Sequence, residues 1–238
     1  KYIYDYKNET AVPFTRFYPK KLFFFHKYTP FSWLYTSQKR KVLTFVSPSV
    51  WKDPYEDELV SNYDKQVACL CMTCERVINE ESSWNAYEGS NAQDPVIRIS
   101  YNVPAFLSRL NRIGKDKGID FYITTVDYSL SQDGIKSLKY LVEESKGNDD
   151  YTERLVSYLS FKRKAFEYEN EVRFIAVKSN GNNVFEKDHK IDFEDFEWSD
   201  DLISCITLPP LPPFHDERKK YSWELQVIKN YGLDKYLS

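Results

Sequence analysis

The sequence predicts an α+β fold, and three observations point to it. Seven short runs rich in β-branched and aromatic residues recur along the chain. Pieces with apolar residues at three- and four-residue spacing fall between them irregularly, not in the strict alternation of a doubly wound sheet. Glycine is also scarce, 7 of 238 residues, under half the usual share of about 7%. No glycine-rich phosphate loop of the Walker or dinucleotide type is present. The length suits one large domain with an ample core, and the expectation is a single domain over residues 1–238.

The runs at 22–28, 42–47, 67–72, 96–101, 121–128, 172–177 and 202–208 read as strands. Helices are expected over 104–112, 135–144, 152–164 and 217–230. Gly147-Asn148-Asp149-Asp150 is a loop, from which Asp150 or Thr152 can cap the helix that follows. That helix ends on Lys162-Arg163-Lys164, whose plainest account is a solvated terminus favoured by the helix dipole. Pro209-Pro210-Leu211-Pro212-Pro213 ends a strand and leads into the terminal helix, so 209–238 is expected to pack on the domain.

Charge and composition exclude several classes. With 33 Lys and Arg against 36 Asp and Glu the net charge is -3, so no chain-wide positive field draws nucleic acid or an anionic membrane. No apolar run reaches the roughly 18 residues of a membrane span, and no charged-then-apolar signal segment opens the chain. The expectation is a soluble, cytoplasmic protein without a membrane partner. Cys71 and Cys74 have a two-residue gap, but no second Cys or His pair lies near in sequence, so no metal is expected. Cys69 and Cys71 read instead as thiols on one face of a strand. Aromatics form 17% of the chain, with 19 Tyr and 16 Phe, so core and pocket walls alike are built from rings.

The most informative stretch runs from Ala165 to Val177, where Phe166-Glu167-Tyr168-Glu169-Asn170-Glu171-Val172-Arg173 enters an apolar strand. Side chains alternate along a strand, so Glu169, Glu171 and Arg173 are expected to project together, with Tyr168, Val172 and Phe174 on the other face. Two carboxylates and a guanidinium on one surface are either a charged face closed by an ion pair or a site that holds a carboxylate against a cationic substrate.

Four further segments occur with it in order: His26-Lys27-Tyr28, Ser47-Pro48 through Asp53-Pro54-Tyr55-Glu56, Cys71-Met72-Thr73, and Trp84-Asn85-Ala86-Tyr87. This order resembles the large bacterial family filed as domain of unknown function 2971, over nearly the whole chain. The chain departs from that pattern where Gly89 is followed by Ser90 to Asp94 before the next strand, and where Phe166 stands in place of a Trp. The motif order is in turn similar to that of the ADP-ribosyltransferases. The resemblance implies a mixed, split central sheet with surrounding helices, and an enzyme that uses NAD as substrate.

Breaking the nicotinamide–ribose bond develops oxocarbenium-like positive charge that a carboxylate can stabilise. The resemblance gives that role to Glu171 and the activation of an acceptor to Glu169. Lys27 or His26 is expected on the diphosphate or a ribose hydroxyl, and which of the two is the motif residue stays open. Tyr28, Trp84 and Tyr87 are candidates to stack on nicotinamide, and Arg173 completes the cofactor-binding set. The expected products are an ADP-ribosylated macromolecule or hydrolysed NAD, in the setting of a bacterial toxin or phage-defence effector with an inhibitor or antitoxin partner. Two rivals remain: a non-catalytic protein or nucleic-acid interaction module, and a metal-dependent nuclease built on the paired carboxylates. Each residue also has a plainer account, namely a hydrogen-bonded core histidine for His26, a packing pair for Trp84 and Tyr87, and a turn around Pro54 for Asp53 and Glu56.

Overall fold

A computed structural model describes residues 2–5, 10–13, 24–51, 66–73, 84, 96–129, 131–178, 183–184, 189–208, 222–230 and 232–237. The chain runs β1 (Tyr2–Asp5), β2 (Thr10–Pro13), β3 (Phe24–Pro30), α1 (Phe31–Arg40), β4 (Leu43–Val46), β5 (Val67–Thr73), β6 (Val96–Asn102), α2 (Val103–Lys117) and β7 (Ile119–Thr125). It continues with α3 (Gln132–Glu144), α4 (Tyr151–Tyr158), a 3-10 helix (Lys164–Glu169), β8 (Glu171–Lys178), β9 (Lys190–Phe193), β10 (Ile203–Thr207) and α5 (Ser222–Asn230). The expected mixture of strands and helices is therefore present. All ten strands join one sheet in the order β10-β6-β3-β5-β8-β7-β1-β2, with β4 and β9 branching from β5. Its pairings are antiparallel except for β1 with β7.

Strand alternation divides the sheet's side chains between two faces. On one, Phe25, Leu70, Ile99, Tyr101, Phe121 and Phe174 pack with Leu34 of α1 and Phe106 and Leu110 of α2. Phe174 meets Phe25 and Phe106 with ring centroids 5.1 and 5.2 Å apart. On the other, Val67, Cys69, Tyr122, Ile175 and Val177 are covered by Val142 of α3 and by Leu155, Val156 and Tyr158 of α4. From Glu171 to Val177 every residue of β8 is buried, because both faces of this strand are covered. Asn102 caps α2 by accepting from the Ala105 amide at 3.3 Å. The helix ends where Gly118 takes a φ of 63° and donates back to Gly114.

Four sequence expectations change. Helix 152–164 stops at Tyr158, because Ser160 accepts from the Asp127 amide at 2.8 Å and the Lys162 amide donates to Asp127 at 3.1 Å, so a bridge peels the chain off the helix. Strand 121–128 gives way after Thr125 for the same reason. Asp150 stands at the start of α4 without a side-chain capping bond, its carboxylate being taken by Arg154 at 2.6 Å. Helix α1 and strands β1, β2 and β9 were not among the expected elements, and the stretch 209–221 lies outside the described residues.

β3 and β5 are joined by a single aligned pair, His26 opposite Thr73. On its other side β3 runs in continuous register with β6 over seven pairs. His26 and Thr73 meet across this seam, and Thr73 lies opposite Glu171 on β8.

Candidate functional site

β8 opens on Glu171, which is only 4% exposed. Burial alone would raise its carboxyl pKa, but the Arg173 charge and hydrogen bonds, with Lys162 and the Cys71 thiol, outweigh that and bring it down to about 2. Arg173 grips it with two prongs, Nε to Oε1 at 2.8 Å and Nη2 to Oε2 at 3.1 Å. Glu171 and Arg173 are two apart on one strand, so alternation puts both on the same face, as expected. The guanidinium, 1% exposed, also donates to the Leu159 carbonyl at 2.8 Å and lies 4.2 Å from the centroid of the Trp51 ring. Such charge-assisted, forked bonds fix both partners in a site largely closed to water.

Glu169 reaches the same place by a different route. The expectation of a continuous strand through Glu169 is corrected: residues 164–169 form a 3-10 helix, and Asn170, at a φ of 42°, turns the chain into β8. A left-handed residue of this kind is where asparagine is tolerated. Glu169 then joins Glu171 through Lys162, whose Nζ lies 2.7 Å from Glu169 Oε2 and 3.1 Å from Glu171 Oε2. Tyr168, expected to share a face with Val172 and Phe174, is 43% exposed while those two are fully buried.

Lys162 is the main residue that the sequence reading missed. Its account as part of a solvated helix end is corrected, since its side chain is 10% exposed and its ammonium spans two carboxylates. The bridge at Phe161 that ends the preceding helix is what carries it inward. Trp51 was missed too, although it sits in the quoted Ser47-Pro48 turn. Ser47 Oγ caps that turn by accepting from the Ser49 amide at 3.2 Å, and the turn delivers Trp51 to Arg173. Cys71, opposite Arg173 in the pairing with β8, hydrogen-bonds to Glu171. Its thiol pKa is pushed well up, by burial first and by the Glu171 charge next, so it stays protonated. The Glu171 amide donates to the Tyr128 hydroxyl at 2.9 Å, and burial holds that phenol protonated.

The basic and aromatic candidates divide by face. His26 stands in one row with Ser100, Thr73 and Glu171 across β6, β3, β5 and β8, and its Nδ1 is 2.9 Å from Ser100 Oγ. Tyr28 shares that face and packs edge-on against Trp84, with centroids 5.0 Å apart. Trp84 is 3% exposed and forms a small core with Tyr28 and Val96. Lys27 points to the opposite face by alternation. Its ammonium lies 3.4 Å from the Cys71 carbonyl and 5.4 Å from the centroid of Trp33. Burial lowers its pKa, against the opposite influence of Cys71 and Glu171. Tyr87, Asp53, Glu56 and Cys74 lie outside the described residues.

No protein-family model, curated protein or solved structure matches this chain.

The assembled centre therefore consists of Glu171, Glu169, Arg173, Lys162, Cys71 and Trp51, with His26 and Tyr28 on the same face across the seam. Two carboxylates face two cations, so the cluster is internally neutral. Among the described residues no group of three or more His, Cys, Asp or Glu comes together as a metal site. The Lys162 ammonium occupies the space between the two carboxylates. A depression of about 510 Å³, lined by Gln38, Lys41, Arg112 and Trp198 among others, lies elsewhere, beside the core formed with α1 and α2. No described helix is long and apolar enough to cross a membrane.

Proposed function

We propose that the chain is an ADP-ribosyltransferase-like enzyme that consumes NAD at the seam between β3 and β5. The observation that carries this reading is a buried carboxylate, Glu171, held by Arg173 and Lys162 on the face that also presents His26 and Tyr28. In this reading the nicotinamide–ribose bond breaks and its electron pair leaves with nicotinamide, while Glu171 stabilises the positive charge left on the ribose carbon. A water or an acceptor group forms the new bond to that carbon, and its proton passes to Glu169. Arg173 is a positioning residue that keeps Glu171 charged and fixed. A ribose hydroxyl takes the place of Lys162 on Oε2 when substrate enters. The similarity in motif order supports a split sheet of the transferase kind, with a macromolecular acceptor and a role in conflict between bacteria and their rivals or phages as its extensions.

One observation favours a second reading, a non-catalytic interaction module: both Glu171 oxygens are already paired, and the carboxylate is 4% exposed. Calorimetric NAD binding and nicotinamide release, measured on the protein and on its folded Glu171→Gln variant, separate the two. The enzyme reading expects turnover in the parent protein and binding without turnover in the variant. Absence of NAD binding and turnover in both overturns it and leaves the interaction module.

A further inference from the structure

Arg98, on β6, is 7% exposed, and its Nη2 donates to Thr207 Oγ1 at 2.9 Å. Its Nε and Nη1 are buried and have no hydrogen-bond partner. Among the described residues no carboxylate pairs with it. A buried guanidinium without a counter-charge is costly, and an unsatisfied buried donor forfeits its hydration.

The other two buried arginines of the described chain show how this protein ordinarily meets that cost. Arg173 is held by Glu171 and the Leu159 carbonyl. Arg109, also 7% exposed, donates to the Glu197 carbonyl at 2.7 Å, to the Ala105 carbonyl at 3.0 Å and to Asp201 at 2.8 Å. Arg98 alone of the three keeps most of its donors unused.

Its surroundings are polar and rich in donors. The β10–β6–β3 register places Thr207, Arg98 and Tyr28 in one row and Cys205, Ser100 and His26 in the next, all on a single face of the sheet. Hydroxyls from three strands and an imidazole thus share the surface from which the guanidinium projects, and Glu171, which enters the His26 row two strands away on β8, is already held by Arg173. An anion with several acceptor oxygens meets these needs, and the planar fork of arginine matches a phosphate in two-point contact.

We propose that Arg98, with Thr207 beside it, binds a phosphate group of a small-molecule ligand on the β10–β6–β3 face of the sheet. The inference stands apart from the NAD reading, because nothing in it depends on the chemistry at Glu171.

The test is titration of the full chain with inorganic diphosphate and with ADP, followed by calorimetry and by the thermal unfolding midpoint, for the parent protein, Arg98→Met and Arg98→Lys. Both ligands are expected to bind the parent and raise its midpoint. Arg98→Met, shown folded by its own cooperative transition, is expected to bind at least about tenfold more weakly. Arg98→Lys keeps the charge and loses the fork, so it falls between them. ADP binding more tightly than diphosphate identifies a nucleotide phosphate, and equal affinities identify a free phosphate anion. If neither ligand binds the parent, or Arg98→Met binds as well as the parent, the proposal is overturned. NAD turnover that persists in Arg98→Met leaves the catalytic reading standing even then.

Discussion

Arg98 and Arg173 project from the same face of one sheet, with only β3 and β5 between their strands, and they differ in almost everything else. Arg173 is the third residue of β8, and Glu171, the Leu159 carbonyl and the Trp51 ring all converge on it. Arg98 is likewise the third residue of its strand, β6, and Thr207 is the one partner its register brings. A saturated charge contributes to the fold and to fixing a site, whereas a charge left open has its worth in what it can still receive.

The largest effect is expected from Glu171→Gln. Removing the carboxylate leaves Arg173 and Lys162 buried without their shared anion, at a cost of about 3–5 kcal/mol in urea unfolding. The double variant Glu171→Gln with Arg173→Met removes both charges and recovers part of that loss, since the penalty lies in the unmatched charge more than in the missing bond. A single-variant loss under about 1 kcal/mol would mean that the pair is open in solution, and Arg173 would then resemble Arg98.

Acid exposes the same pair more gently. The Glu171 carboxyl goes from an ordinary value of 4.5 to about 2 in the folded chain. Because the folded value is the lower one, the stabilisation is complete above pH 4.5 and is lost as pH falls from there towards 2. The difference is worth about 3 kcal/mol. Unfolding free energy measured from pH 6 down to pH 2.5 is expected to fall more steeply in the parent than in Glu171→Gln, which lacks this titration. Parallel curves would remove Glu171 from the ionised side of the comparison.

How far such differences can be read from sequence depends on how local they are. Glu171 and Arg173 were legible as partners because they lie two apart on a strand, where alternation alone puts them on one face. Most strand positions were legible too, since β5, β6 and β8 are rich in apolar residues and are buried almost throughout. Lys162 was not, because its place is set by the bridge between Asp127 and Phe161, a contact between residues far apart in sequence that overrides a good helical pattern. Helix α1 was hidden by Pro30, which follows a strong strand and reads as a stop, although a proline also suits the start of a helix. β9, four residues with two acidic or basic side chains, carries too weak a pattern to stand out. Arg98 in Ile97-Arg98-Ile99 reads as an ordinary alternating strand charge facing water. Only the pairing of β6 between β3 and β10, and the burial that follows, makes it unusual.

The smallest effect, and the sharpest test of the contrast, is expected from Arg98→Met in the absence of any phosphate ligand. Methionine keeps the length of the aliphatic stem and its packing, gives up one bond to Thr207, and removes a buried charge that nothing neutralises. Losing a single neutral-acceptor bond costs about 1 kcal/mol, and relief from the uncompensated charge is of similar size and opposite sign. Urea unfolding of phosphate-free protein should therefore place the variant within about 1 kcal/mol of the parent, on either side. Arg173→Met, which strands Glu171, should fall well below both. A loss of more than about 2 kcal/mol in Arg98→Met would show that its guanidinium is satisfied from within the chain. The difference between the two arginines would then be one of partner, and Arg98 would have no donors left to offer a ligand.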